Sequence, residues 1–412
     1  MKKYLTMFAC LLTGVITFSS CSDDDDEKEK KDSAQVTAIA NLSKQYVENV
    51  VYPTYTNLAN ATGELYDKLE AAKAAYRQGT LKQEDIDNIC NVFLKAREYW
   101  EKSEAFLYGP ATTFGIDPHI DTWPLDLDAL AVALSNANQV AMLDNGDDGI
   151  AYAGAKLGQE LLGFHGIEFI IFRDGQNRSL STLKTEESDN AFTAINAHVT
   201  GEQELIYAAA VAGDLRDKCY QLEVAWRGES ASRDHFDRVE ECEYETQIGS
   251  MFYGDNILNA TKAGSTFKTW QEVLITIFDS GCSNIANEVA NTKMGNAYTG
   301  EDPNYIESPY SKKSFNDFYD NIISIKNSLY GGVNLSSPAN ASVMSFLNAE
   351  NVTLARDLSS KLEAALSALN NCKRGAAFVD NPTSSNVKAA MDAINDLNDQ
   401  LAAGATWAAT VK

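Results

Sequence analysis

Between Leu161 and Phe172 the chain reads Leu-Leu-Gly-Phe-His-Gly-Ile-Glu-Phe-Ile-Ile-Phe. As a helix this segment has no wet side, so the rest of the fold must enclose it. Residues three and four apart share a helix face, which puts Leu161, His165, Glu168 and Phe172 on one stripe. Two ionisable groups therefore lie between apolar ones. Burying an unpaired carboxylate is costly, and the usual escapes are pairing, neutralisation or a metal. Something must face this pair.

The enclosing material is predicted to be helical. Prolines number 8 in 412 residues, and long stretches show helical periodicity rather than strand alternation. The expected fold class is all-α, as two helical bundles, spanning residues 35–215 and 216–412. Leu107-Tyr108-Gly109 and Leu329-Tyr330-Gly331 each close a predicted helix, which suits two bundles related by duplication. Helices are expected over Val36–Leu58, Leu65–Gln78, Gln83–Tyr108 and Ala151–Phe172 on the first side. Thr266–Lys293, Ser314–Leu329, Ser342–Asn371 and Ser384–Ala403 are expected on the second.

The N-terminus reads differently. Lys2 and Lys3 precede an apolar run from Tyr4 to Phe18 that is too short to span a bilayer as a mature helix. Small residues before Cys21 make residues 1–20 resemble a bacterial lipoprotein signal, with lipid on Cys21. An ordinary secretory signal is the alternative. Residues 21–34, rich in Asp and Glu, are expected to form a solvated tether. They also resemble the export signal of surface lipoproteins, a mere spacer being the alternative. Together these imply an outer-membrane lipoprotein at the cell surface.

A net charge of −24 repels phosphate backbones, so no nucleic-acid partner is expected. Cys90, Cys219, Cys242, Cys282 and Cys372 remain beyond the signal and anchor. They are odd in number and contain no Cys-x-x-Cys, and are expected to be mostly small core residues.

A second stripe runs along the helix from Gln83: Ile86, Cys90, Phe93, Arg97, Trp100, Glu104 and Leu107. Five of these suit an inward seam, whereas Arg97 and Glu104 do not. Desolvated charges gather at functional sites. A buried structural ion pair, or an Arg97–Glu101 pair turned to solvent, is the plainer explanation. Downstream, the Pro- and Asp-rich stretch to Pro124 reads as a loop. Asp121 is its best donor to a site. Trp123 is equally suited to packing, and His119 reads as a turn residue.

Arg97-x-x-Trp100-x-x-x-Glu104-Ala105-Phe106-Leu107-Tyr108-Gly109-Pro110, then Asp117-Pro118-x-Ile120-Asp121-x-Trp123-Pro124, then Gly163-x-His165-x-x-Glu168, resemble the imelysin-like proteins. Glu288-Val289, Glu307-Ser308-Pro309-Tyr310 and Asn321-Ile322 resemble that family's second half, so the resemblance spans about Val36 to Leu401. It implies two helical bundles with the Gly-x-His-x-x-Glu helix near their interface. It also implies an envelope protein linked to iron acquisition, in a family whose founding member was described as a metal-dependent peptidase. By this match His165 and Glu168 carry over as candidate metal ligands, with Glu104, Arg97 and Asp121 as their neighbours.

One imidazole with two or three carboxylates suits Fe(II), Mn(II) or zinc. Glu104 and Asp121 would add oxygens to His165 and Glu168 if the fold assembles them. Arg97, Trp100 and Trp123 are the candidate ligand-binding residues. The expected cargo is a divalent metal, iron foremost and zinc open, or an iron-bearing ligand passed to an uptake transporter. A zinc peptidase is the alternative, although Phe169 follows Glu168 where an inverted zincin has a second histidine. A structural or protein-binding envelope component is the third reading.

Overall fold

The structure is a computed structural model that describes residues 23–411, with side chains from Asp32 onward. The expected signal segment and the lipidation of Cys21 lie outside the described residues. Helix α1 (Asp23–Tyr46) takes in the acidic stretch that was expected to be a tether. Acidic residues at a helix head suit the positive end of its dipole, so like charge alone does not forbid a helix there. A π-helical turn over Val47–Val51 joins α1 to α2 (Tyr52–Arg77) without a break. The wide turn sits beside Pro53, which lacks the N–H needed for regular pairing.

The fold is all-α among the described residues, apart from a two-residue antiparallel pair, β1 (Phe172–Arg173) with β2 (Gln176–Asn177), and an isolated antiparallel bridge between Ile248 and Met251. Helix α3 (Gln83–Glu101) lies along α2, and α4 (Gly163–Ile171) sits between α3 and α5 (Gly201–Arg227). A long rod over residues 270–293 (α6) alternates α-helical Trp270–Thr276 and Asn284–Glu288 with π-helical Ile277–Ser283 and Val289–Lys293. It packs with α7 (Ser314–Tyr330) and α9 (Ser385–Ala408), and α8 (Val352–Lys373) packs on both of those.

The boundary between two bundles is expected between residues 215 and 216. It falls within α5, a 27-residue helix that lies along α2 and also touches α4. A capping box at Thr200 and Gln203 starts α5, and only Gly228 ends it. Two groupings of helices are visible, but one apolar cluster runs through both and α7 contacts α3 directly. The two Leu-Tyr-Gly segments also end differently. Tyr330 closes α7 with Gly331 in the left-handed region, whereas α3 stops at Glu101 and a 3-10 turn covers Glu104–Phe106.

The helix expected over Ala151–Phe172 is divided as well. It becomes Gly146–Lys156, a 3-10 turn at Gln159–Leu161, and α4. Leu161 and Phe172 therefore flank the helix instead of completing its stripe. All nine residues of α4 are buried, as its composition requires. The five cysteines are free thiols, four of them buried.

Candidate metal centre

Two glycines fix where His165 and Glu168 point. Gly163 opens α4 at φ 67°, and a Cβ there would lie 1.8 Å from the Ile120 carbonyl oxygen. A Cβ on Gly166 would lie 2.2 Å from the Tyr207 hydroxyl, which donates to the Leu161 carbonyl at 2.6 Å. Only bare backbone lets α4 press at once on the short helical turn Ile116–Ile120, where the sequence reads as a loop, and on α5.

That approach builds a buried ionic network. The Trp100 indole donates to Asp121 Oδ2 at 2.7 Å, and His165 Nε2 meets Oδ1 at 3.0 Å. Arg97 also bonds Oδ1, and reaches Glu307 Oε1 at 3.0 Å. Its second short ionic contact is to Glu101, so the Arg97–Glu101 pair exists but is buried, not turned to solvent. Glu101 also accepts from Asn321 Nδ2 at 2.6 Å. Lys293 Nζ lies 3.2 Å from Glu307, 3.4 Å from Glu104 and 3.9 Å from Glu101. Asp317 approaches Arg97 at 3.9 Å.

The expected set His165, Glu168, Glu104 and Asp121 is thus brought to one region but not to one point. Ligand atoms of Asp121, His165 and Glu307 lie within 4.8 Å of one another, and so do those of Glu101, Glu104 and Asp121. Glu168 turns aside. Its Oε1 accepts from the Ser311 backbone N–H at 2.8 Å and hydroxyl at 2.6 Å, while Oε2 stands 3.7 Å from His165 Nδ1. Trp123 packs on Tyr305 at 4.1 Å between centroids and on His165 at 6.3 Å.

Sequence reasoning singled out none of Glu101, Lys293, Glu307 and Asp317 as site residues. A signal existed for Lys293 and Asp317, which sit among Val289, Ala290 and Met294 and between Phe315 and Phe318. Glu101 was visible only as the fourth residue after Arg97. The remaining histidines have partners elsewhere: His119 with Asp214, His235 with Glu223 and His198 with Glu186.

Three cavities reach the network. One of about 240 Å³ is walled by Glu104, Asp117, Asp121, Glu288 and Lys293 among others. The second, of about 420 Å³, has His165 at its wall with Trp123, Leu127, Ile306, Pro309 and Tyr310. A more open cavity of about 600 Å³ shares Glu104, Asp117 and Glu288 with the first.

Proton affinities follow from burial and neighbours. Burial alone would lower the His165 pKa, but the hydrogen bond to Asp121 and the neighbouring Glu168 carboxylate outweigh it and raise it to about 9. Burial opposes ionisation of Asp121, yet the Arg97 guanidinium beside it holds its carboxyl below the usual range. Burial pushes Glu101 and Glu104 well up, and it raises Asp117 and Asp317 to about 7. The metal-free fold should therefore keep protons that the unfolded chain releases. Asp117 and Asp317 contribute most at or below pH 3.8, their ordinary value, and that contribution is lost by about pH 7. His165 contributes fully below 6.5 and loses its contribution as pH rises through about 9. Urea midpoints of metal-free protein should therefore fall from pH 5 to 9 less steeply in Asp317→Asn than in the native chain. Equal slopes would contradict the assignment.

A family model described as Imelysin matches residues 51–403. The Iron-regulated protein A of Synechococcus elongatus is 23% identical over 324 residues, covering 79% of this chain and 73% of that protein. A crystal structure named for an iron-regulated protein A precursor from Parabacteroides distasonis superposes with a TM-score of 0.71. It shares 22% identity and covers 90% of this chain and 95% of its own. That of an imelysin-like protein from Psychrobacter arcticum gives 0.54 at 12% identity, covering 90% and 93%. At these identities the two structures show a shared fold.

Proposed function

The chain belongs to the imelysin family, and from that membership we propose that it captures a divalent metal ion, or a ligand carrying iron, for iron acquisition in the cell envelope. The relative named as iron-regulated supports the iron connection. The observation that carries the reading is the convergence of the buried Asp121, His165 and Glu307 at one point. One imidazole and two carboxylates suit Fe(II) or Mn(II), and zinc less distinctively. The donor set fits an ion in another respect. Glu307 Oε2 and Glu168 Oε2 are buried without a hydrogen-bond donor, which a protein seldom tolerates unless something else satisfies them.

Arg97 holds Asp121 and Glu307 from one side and tempers their repulsion. The same guanidinium offers a seat to an anion carried with the ion. Glu168, fixed by Ser311, faces the far ring nitrogen of His165 and sets the orientation of the imidazole. Glu104 stands on the other side of Asp121 as a further oxygen donor. In this reading residues 1–20 export the chain, Cys21 anchors it by lipid, and a transporter receives the cargo.

Anaerobic titration with Fe(II), Mn(II) and Zn(II) tests the proposal. Binding should weaken in His165→Ala by more than the roughly 10–100-fold that loss of an outer partner costs. Undiminished binding by that variant would remove the site. A peptidase would need an ion with an open position and a separate base. Metal-loaded protein is accordingly expected to leave an unfolded peptide library intact. Cleavage abolished by Glu168→Ala would replace the binding role with that one.

A further inference from the structure

We propose that the buried cluster takes up two divalent ions, one on each side of Asp121. The inference rests on the metal-binding reading and adds a stoichiometry and a second donor set to it. Asp121 is shared by two separate convergences of ligand atoms, one with His165 and Glu307, the other with Glu101 and Glu104. A carboxylate with two oxygens can serve both neighbours at once.

Charge supports the count. Glu101, Glu104, Asp121, Glu168, Glu307 and Asp317 are all buried, whereas the fixed cations buried with them are Arg97 and Lys293. With His165 neutral, as a metal ligand must be, the excess is four negative charges with Lys293 in place and five with its ammonium withdrawn. One divalent ion would leave two or three carboxylates to be neutralised by protons, whereas two ions leave at most one.

Access supports it independently. The His165 side opens on the 420 Å³ cavity, and the Glu104 side opens on the acidic 240 Å³ cavity. Each donor set therefore has its own approach. The all-carboxylate side already holds a cation, since the Lys293 ammonium contacts Glu101, Glu104 and Glu307. Lys293 also lines the acidic cavity, and its flexible stem lets the ammonium withdraw into that space when an ion takes its place. The donor chemistry differs across Asp121. Nitrogen and oxygen on the His165 side suit Fe(II), while oxygen alone on the Glu104 side suits the harder Mn(II) or Mg(II).

The test is metal content together with magnetic resonance on the full chain. Protein loaded anaerobically with Mn(II) and desalted should retain two ions per chain and show the multiline spectrum of a coupled Mn(II) pair. His165→Ala and Glu104→Gln should each retain one ion and give the spectrum of an isolated one. Retention of one ion by native protein, lost only in His165→Ala, would overturn the pair while leaving the binding function standing. Two ions that survive Glu104→Gln and Glu101→Gln would place the second elsewhere and equally overturn it. Retention of none would defeat both readings. Circular dichroism of the conservative Gln variants separates loss of an ion from loss of the fold.

Discussion

Arg97→Met should destabilise the metal-free protein by about 3–5 kcal/mol, the cost of removing one partner from a buried ionic network. The guanidinium contacts Asp121, Glu101 and Glu307 and lies near Asp317. Methionine fills a similar volume but leaves those acids with Lys293 as the one fixed cation in the cluster. They must then take up protons or push apart. The loss should be largest at alkaline pH, where protons are scarce, and should shrink at pH 5. Urea denaturation of both proteins at pH 5 and pH 8 measures it. A penalty independent of pH would mean that Arg97 acts by packing on Phe164, whose ring centroid is 5.0 Å away.

Gly163→Ala should abolish metal binding although no candidate ligand is itself replaced. A Cβ cannot coexist with the Ile120 oxygen at 1.8 Å, so either α4 or the loop bearing Asp121 must retreat. His165 and Asp121, now 3.0 Å apart, would separate. The expected loss of stability is at least about 2 kcal/mol, combining left-handed backbone strain with the displacement. Gly79→Ala provides the comparison, because Gly79 has φ 69° and nothing within 4 Å of its Cβ. It isolates the backbone cost. Should both variants lose the same stability and both bind metal, the close approach would not govern the site.

The helical class was legible because periodicity and scarce prolines act locally. Helices α3, α7 and α9 begin within a residue of expectation. The breaks within Ala151–Phe172 were not legible, because they answer to tertiary demands, foremost Gly163 at positive φ against the Ile120 carbonyl. Composition alone reads that segment as one apolar helix. The same division holds for the site. His165, Arg97 and Trp100 stood out on helix stripes and Asp121 as the best donor of the segment downstream, and they meet. Lys293 and Glu307 come from distant sequence, and nothing local pairs them with Arg97. Glu168 was expected to share its cargo with His165, but Ser311, also distant, claims one of its oxygens.

The residues around Asp121 come from both halves of the chain, with positions 97 to 168 on one side and 293 to 317 on the other. An ion seated among them would act as a rivet between the two groupings of helices. Occupancy at a hundred times the dissociation constant adds about 2.7 kcal/mol to the closed fold. Loaded protein should therefore resist proteases that nick the empty form, and whatever releases the cargo must work against that added cohesion.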